Sequence, residues 1–336
     1  MSREWAGGCI MGLALVLVVC GGSVLAARLS MEGASIVEHS GYMGCIELSN
    51  ESTRVVLCPD AGGRVLEYSL NGVNSLYLDE QQNGWTWDGK RGIDPSGGRF
   101  DIGPEKTIPQ HRTLWLGPWQ GAITGPRTAR MISLEDEATG VQLVRDFKLD
   151  ETKSKLLCMQ TIRNISDKTK HWCHWGRTLV MGGGICIIPL TEPSRFPNKY
   201  VMYEVGQTIN FAPKDANIRI RDGYLEILGP PEYPKLGLDS YAGWLCYFTR
   251  NDLLFVKQYP TYPDRPYSEI AGLTVSIWYN KELMCELEPI GPMETIMPGK
   301  SASFTETWWL LPAQFPTGGK KADLAKLKQF VESELR

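Results

Sequence analysis

The chain has 336 residues, 35 Lys+Arg against 38 Asp+Glu for a formal net charge of −3, and 43% hydrophobic residues. That length can bury a large core in one or two domains. The near-balanced charge, with no basic stripe or cluster, argues against a nucleic-acid partner.

In chain order, Arg3 precedes an apolar run from Ile10 to Val19, and small residues follow up to Ala27. Val24 and Ala26 occupy the −3 and −1 places of a signal-peptidase site, so residues 1–26 are expected to be a cleaved leader. The run falls short of the about 20 residues a membrane helix needs, so no stable span is expected once the leader is gone. The expected destination is the periplasm or the extracellular space. Lipid attachment at Cys20 is the weaker alternative, because Val19 stands where a small residue is wanted. The remaining 27–336 read as one domain.

Cys45, Cys58, Cys158, Cys173, Cys186, Cys246 and Cys285 are widely spaced and odd in number, which does not describe a disulfide-stapled miniprotein. Several sit in apolar strand patterns and read as buried thiols. Cys173 beside His171 and His174 is the nearest approach to a metal set, and nothing nearby completes it. No cofactor is expected.

From Cys45 onward the pattern is strand after strand. Thr53–Cys58 is β-rich and stops at the Pro59–Gly63 turn cluster, and Arg64–Leu70 then meets Asn71-Gly72, a strong hairpin signal. Further strands are expected over 141–147 with 155–162, 218–220 with 224–227, 244–248 with 253–258, and over 273–279, 284–288 and 303–311. Gly and Pro punctuate the connections. Only at the end, about 320–336, do Leu324, Leu327, Phe330, Val331 and Leu335 recur at helical spacing, as a surface helix would require. Many short strands with hairpin turns predict an all-β sandwich or barrel.

The segment from Tyr77 to Thr124 is long, rich in Gly and Pro, and carries Trp85, Trp87, Trp115 and Trp119. Long connections in compact domains usually have a job, and indole faces suit the apolar faces of a sugar ring. Arg99, Asp101, Glu105 and Lys106 lie in the same segment. Arg64 follows a double glycine, where backbone can approach a ligand closely. Arg177 adjoins the strand-like Thr178–Met181, and Lys257 ends an apolar strand. Gly182-Gly183-Gly184 lacks the lysine-serine pair and helix of a phosphate loop.

Val55-Val-Leu-Cys-Pro-Asp-Ala-Gly-Gly-Arg-Val-Leu-Glu-Tyr68 resembles the opening hairpin of the galactose mutarotase-like superfamily. The segment Cys285–Trp309, with a glutamate at a strand end, a Pro-Gly turn and an aromatic strand, resembles its closing hairpin. Arg163-Asn-Ile-Ser-Asp-Lys168 is similar to the strand and turn ahead of its histidine strand. Within the superfamily the nearest likeness is to a bacterial branch carrying a DUF4380-like domain. The resemblance implies a single β-supersandwich with a short C-terminal surface helix.

It also implies a chemistry. Aldose mutarotases use a glutamate base at the anomeric hydroxyl and a histidine acid at the ring oxygen, which requires complementary protonation states near neutral pH. On the resemblance Glu288 takes the base position, with Glu286 two residues earlier on the same strand face as its substitute. His174 falls near the strand histidine, and His111 lies in the region of the family's other histidines. Expected substrate contacts are Arg64, Asp101, Glu105, Trp115, Trp175, Arg177, Lys257 and Glu286. The family's histidine-rich segment is missing, and Ile290 replaces the glutamine two residues after the base. Three functions therefore stand open: an aldose 1-epimerase-like isomerase, a non-catalytic carbohydrate-binding module, and a lyase or hydrolase relative using Asp101 and Glu105. The expected partner is a mono- or oligosaccharide, neutral or acidic.

Overall fold

A computed structural model describes residues 15–16, 27–28, 30–317 and 321–334. The leader expected over 1–26 and its Cys20 alternative lie outside the described residues, apart from Leu15–Val16, which pairs with Ala27–Arg28.

Two antiparallel sheets face each other across one large apolar cluster. The smaller, of 10 strands, runs in the order Gln120–Gly125, Thr128–Ile132, Val141–Leu149, Leu156–Asn164, Ser301–Pro312, Leu253–Gln258, Trp244–Phe248, Ile185–Pro189, Tyr224–Ile227 and Ile218–Arg221. The larger, of 14 strands, has at its centre Lys235–Leu238, Val275–Asn280, Met284–Pro289, Lys170–Met181, Gly98–Gly103, Arg64–Leu70, Thr53–Cys58 and Tyr42–Ser49. This is the all-β supersandwich the sequence predicts. The 53–58, 64–70, 244–248 and 253–258 strands have the expected bounds, and Asn71 and Gly72, both at positive φ, turn Arg64–Leu70 into Val73–Asn74. The helix Leu324–Glu334 packs outside the smaller sheet, through Leu324, Leu327 and Val331 against a cluster that includes Phe248, Leu254 and Trp309.

The Tyr77–Thr124 segment departs from expectation. It is not one long connection, because Gly98–Gly103 is a fully buried strand at the centre of the larger sheet, paired with Lys170–Met181. Its glycines answer close packing: a Cβ on Gly98 would meet the Trp308 indole, and one on Gly103 would crowd Cys173 and Glu269. Residues Arg112–Leu116 form a short helix, and Trp119 plugs the core with its indole N–H on the Leu114 carbonyl. All seven described cysteines are buried thiols.

The Pro59–Gly63 turn fixes where the first hairpin meets this segment. Gly63 sits at φ +55°, its carbonyl accepts from Arg145, and a Cβ there would run into the Trp119 ring. Gly63→Ala combines left-handed strain of about 1–2 kcal/mol with overpacking of about 1–3 kcal/mol. It is expected to cost about 2–5 kcal/mol in chemical denaturation, whereas Gly72→Ala, with open space around its Cβ, pays the backbone strain alone.

Candidate functional site

Strand alternation builds the site. On Lys170–Met181, His174, Gly176 and Thr178 point into the sandwich, and Trp175 and Arg177 point to the outer face of the larger sheet. Across the ladder Trp175 stands opposite Asp101, and Arg177 opposite Arg99. On the other flank Met284–Pro289 buries Cys285 and Leu287 in the core and turns Glu286 and Glu288 to the same outer face. Three adjacent strands thus collect Arg99, Asp101, Trp175, Arg177, Glu286 and Glu288.

Over them lies a cleft of about 720 Å³, lined by Asp101, Glu105, His111, Trp115, Trp175 and Arg177 among others. Trp115, from the Arg112–Leu116 helix, lies against two guanidinium groups, 4.6 Å from Arg99 and 4.9 Å from Arg177. Such cation–π contacts hold an indole in place.

The two glutamates are fully buried and carry opposite electrostatics. Glu286 accepts from Arg99 and, at 2.9 Å, from Arg177 Nε. Burial alone would raise its pKa, but the two arginines outweigh burial and hold it well below the usual carboxylate range. Glu288 accepts the Trp175 Nε1–H on Oε2 at 2.9 Å, and in its protonated form it is hydrogen-bonded to the Glu286 carboxylate. Burial, helped by the charge of Glu286 and opposed by Lys235 and Arg177, pushes Glu288 up to about 8. Neither glutamate lines the cleft. Each is one hydrogen bond behind a residue that does.

Asp101 and His111 form a second unit. His111 Nε2 lies 2.7 Å from Asp101 Oδ1, and Nδ1 lies 2.8 Å from the Pro109 carbonyl. Both ring nitrogens thus face acceptors, which suits the imidazolium. Burial would lower the His111 pKa, but the hydrogen bond and charge of Asp101 push it up to about 9. Asp101 Oδ2 also meets Arg177 Nη1 at 3.4 Å, and its pKa is lowered against burial, first by His111.

Three expected site residues stand elsewhere. His174 lies inside the sandwich, stacked between Phe100 and Phe304 with Nε2 3.1 Å from the Ala302 carbonyl. Burial lowers its pKa to about 4, and it cannot pass a proton to the outer face. Arg64 is buried, its guanidinium spent on Tyr42 Oη, Gln82 Oε1 and the Ser96 carbonyl. Lys257 is buried in the interior, 2.9 Å from Glu306 Oε2. Glu105, Trp115 and Trp175 line the cleft with Asp101, His111 and Arg177, and Glu286 and Glu288 back it. Of the other three tryptophans singled out between Tyr77 and Thr124, Trp119 is core and Trp85 packs beside Tyr42 and Leu66.

Sequence reasoning missed Lys235 and Tyr203. Lys235 Nζ lies 3.2 Å from Glu105 Oε2, 5.0 Å above the Trp175 ring and 5.5 Å from the Tyr203 ring. The signal was a lysine opening the apolar Lys235-Leu-Gly-Leu238 strand. Among the described residues no group of three or more His, Cys, Asp or Glu side chains could hold a metal ion.

The architecture has solved counterparts. The Slr1438 protein of Synechocystis sp. PCC 6803 superposes with TM-score 0.56 at 14% identity, covering 85% of this chain and 99% of its own. A putative aldose 1-epimerase from Escherichia coli K12 gives 0.55 at 10%, covering 79% and 98%. A galactose mutarotase-like protein from Lactobacillus casei ATCC 334 gives 0.54 at 12%, covering 80% and 100%. The fold is galactose mutarotase-like. No family model matches the sequence, and no curated protein does. At such identity the galactose mutarotase-like likeness extends to the sheets and leaves the site to be judged on its own residues.

The Asp101–His111 unit makes a direct prediction. Asp101→Asn keeps the shape and removes the charge, so the His111 titration should fall from about 9 toward or below its ordinary 6.5. The His111 ring protons followed by NMR against pH report it. A midpoint that stayed near 9 would mean that another group holds the proton.

Proposed function

We propose that the protein is an exported carbohydrate-binding protein whose ligand, a neutral sugar, occupies the cleft beside Trp115, between Asp101, His111 and Arg177. One observation carries this reading: an indole and an interlocked carboxylate–imidazolium–guanidinium chain line the same open space. That combination offers an apolar surface for a ring and directional donors and acceptors for its hydroxyls. Structural neighbours described as a putative aldose 1-epimerase and as galactose mutarotase-like support a sugar as the ligand class. Within that fold we place the chain in the DUF4380-like branch.

Charge favours a neutral ligand. Arg99 is answered by Asp94 and Glu286, Arg177 by Glu286 and Asp101, Lys235 by Glu105, and His111 by Asp101. Of the cleft-lining cations Arg112 holds a carbonyl, that of Lys90, and no carboxylate; at any of the others an acidic sugar would have to displace a carboxylate, which costs more than an added contact returns. In a calorimetric screen of the mature protein, neutral hexoses and their oligomers are expected to bind more tightly than the matching uronic acids. Tighter binding of the uronates would reverse the assignment.

A second reading, turnover by an aldose 1-epimerase-like isomerase, is favoured by the two displaced titrations. In it Glu288, uncovered by movement of Trp175, would remove the anomeric proton, and His111, not His174, would protonate the ring oxygen. The base ionises through about 8 and the acid loses its proton through about 9, so the anomerisation rate should rise through the first and fall beyond the second. Glu288→Gln and His111→Asn should each lower the rate about 100- to 10,000-fold with far smaller changes in affinity. Polarimetry or NMR exchange measures this directly. Wild-type protein that binds a sugar and leaves anomerisation at the buffer rate is a binding module, in keeping with the complete burial of Glu288.

Export is part of the proposal. Mass spectrometry of protein from its native host should show a mature N-terminus at or near Ala27. An intact Met1 or a lipid on Cys20 would contradict it.

A further inference from the structure

The strands that carry the cleft on their outer side are gripped on their inner side by buried charges. Arg145, Lys257 and Glu306 are each at most 1% exposed. Lys257 Nζ lies 2.9 Å from Glu306 Oε2 and donates to Thr178 Oγ1 and to the Leu287 carbonyl, both at 3.1 Å. The Glu306 carboxylate accepts from Gln160 Nε2 at 2.9 Å and from Trp308 Nε1 at 2.8 Å. It presses on Gly176 so closely that a Cβ there would overlap it. Arg145 Nη1 donates to the Gly98 carbonyl at 3.1 Å.

Arg145 also holds the Gly63 carbonyl, away from the cleft, but the other four residues gripped are chain neighbours of residues on the cleft side. Leu287 lies between Glu286 and Glu288, Gly176 between Trp175 and Arg177, Thr178 follows Arg177, and Gly98 precedes Arg99. In a strand, holding residue i from one face fixes the directions of i−1 and i+1 on the other. A buried ion pair is a poor way to stabilise a core, since apolar residues of similar volume usually serve as well or better. A pair kept here, against the backs of the site strands, has a different use.

We propose that Lys257 and Glu306 are positioning residues for the cleft: from the sandwich interior they fix the strand segments that present Trp175, Arg177, Glu286 and Glu288. The proposal rests on the cleft being the working site, and its test needs neither a sugar nor turnover. Trp175 Nε1–H is bonded to Glu288, so the indole N–H resonance, assigned with Trp175→Phe, reports the Glu288 titration. Glu288 is faced by Glu286 on its own strand, by Trp175 and Arg177 from Lys170–Met181, by Lys235 from Lys235–Leu238 and by Tyr203 from Val201–Tyr203, with Ser276 its cross-strand neighbour.

The charge-neutral double variant Lys257→Met/Glu306→Gln removes the grip and leaves no lone buried charge. Looser strands admit water, so the indole-reported midpoint should fall from about 8 by about one unit or more while the melting temperature stays within a few degrees. A folded double variant with an unchanged midpoint overturns the proposal. Should the double variant fail to fold, Thr178→Val decides. It keeps the ion pair and removes one tether, and a downward midpoint shift of about 0.3 unit or more supports the proposal, whereas none overturns it. A wild-type protein that binds no sugar would sink the carbohydrate reading and leave this result standing.

Discussion

Two carboxylates two residues apart on one buried strand set the terms for the rest of the site. Glu286 and Glu288 share a face of Met284–Pro289, and both are fully buried. Two unpaired charges there would cost several kcal/mol each, and their mutual repulsion adds to that. The structure resolves the conflict unequally. Glu286 takes both guanidinium groups and stays ionised, and Glu288 takes one indole N–H and keeps its proton to about 8. Arg99 and Arg177 are then fixed by Glu286, and Trp115 is fixed by lying on them. The floor of the cleft follows from how one pair of acids is accommodated.

Much of this scaffold was legible in the sequence, because hairpin turns and alternation are local signals. Asn71-Gly72 marks a turn that the structure contains, and Cys285 and Leu287 alternate with Glu286 and Glu288 as a strand with a core face must. The cleft itself was half legible. Asp101, Glu105, His111, Trp115, Trp175 and Arg177 come together in it, although the segment that supplies four of them reads as Gly- and Pro-rich connection. Gly98–Gly103 could not be recognised as a central strand because its glycines answer neighbours distant in sequence, Trp308 and Cys173.

The misplaced residues fail for a related reason. The side-chain period of a strand is two, so a one-residue offset exchanges the faces. The resemblance puts both His174 and its neighbour Trp175 in the site, but adjacent strand residues face opposite sides, and only Trp175 reaches the outer face. Arg64 and Lys257 misled differently. Arg64 reads as a ligand contact because it follows a double glycine, and Lys257 because it ends an apolar strand, where burial without a partner is prohibitive. Their partners, Gln82 and Ser96 for one and Glu306 for the other, come from 18 to 49 residues away and leave no local trace. Pattern gives the face of a strand more readily than it gives the partner of a charge.

The central strands of the larger sheet therefore meet charge on both sides, their own on the outer face and that of the smaller sheet's strands on the inner face. The outer layer holds Asp101, Glu286 and Glu288 with Arg99, Arg177 and His111. The inner layer holds Glu306 with Lys257 and Arg145. Within each layer most charges are locked by hydrogen bonds, and the strand between transmits any displacement of one to the other. Two protons remain adjustable near neutral pH: the one on Glu288, held by burial, and the one on His111, held by Asp101. A ligand that covers the cleft strips water from His111 and alters the field at Glu288 through Arg177, so binding and protonation are linked whether or not turnover follows. The fold supplies the sheets, and these two groups are where protonation in the site answers to its surroundings.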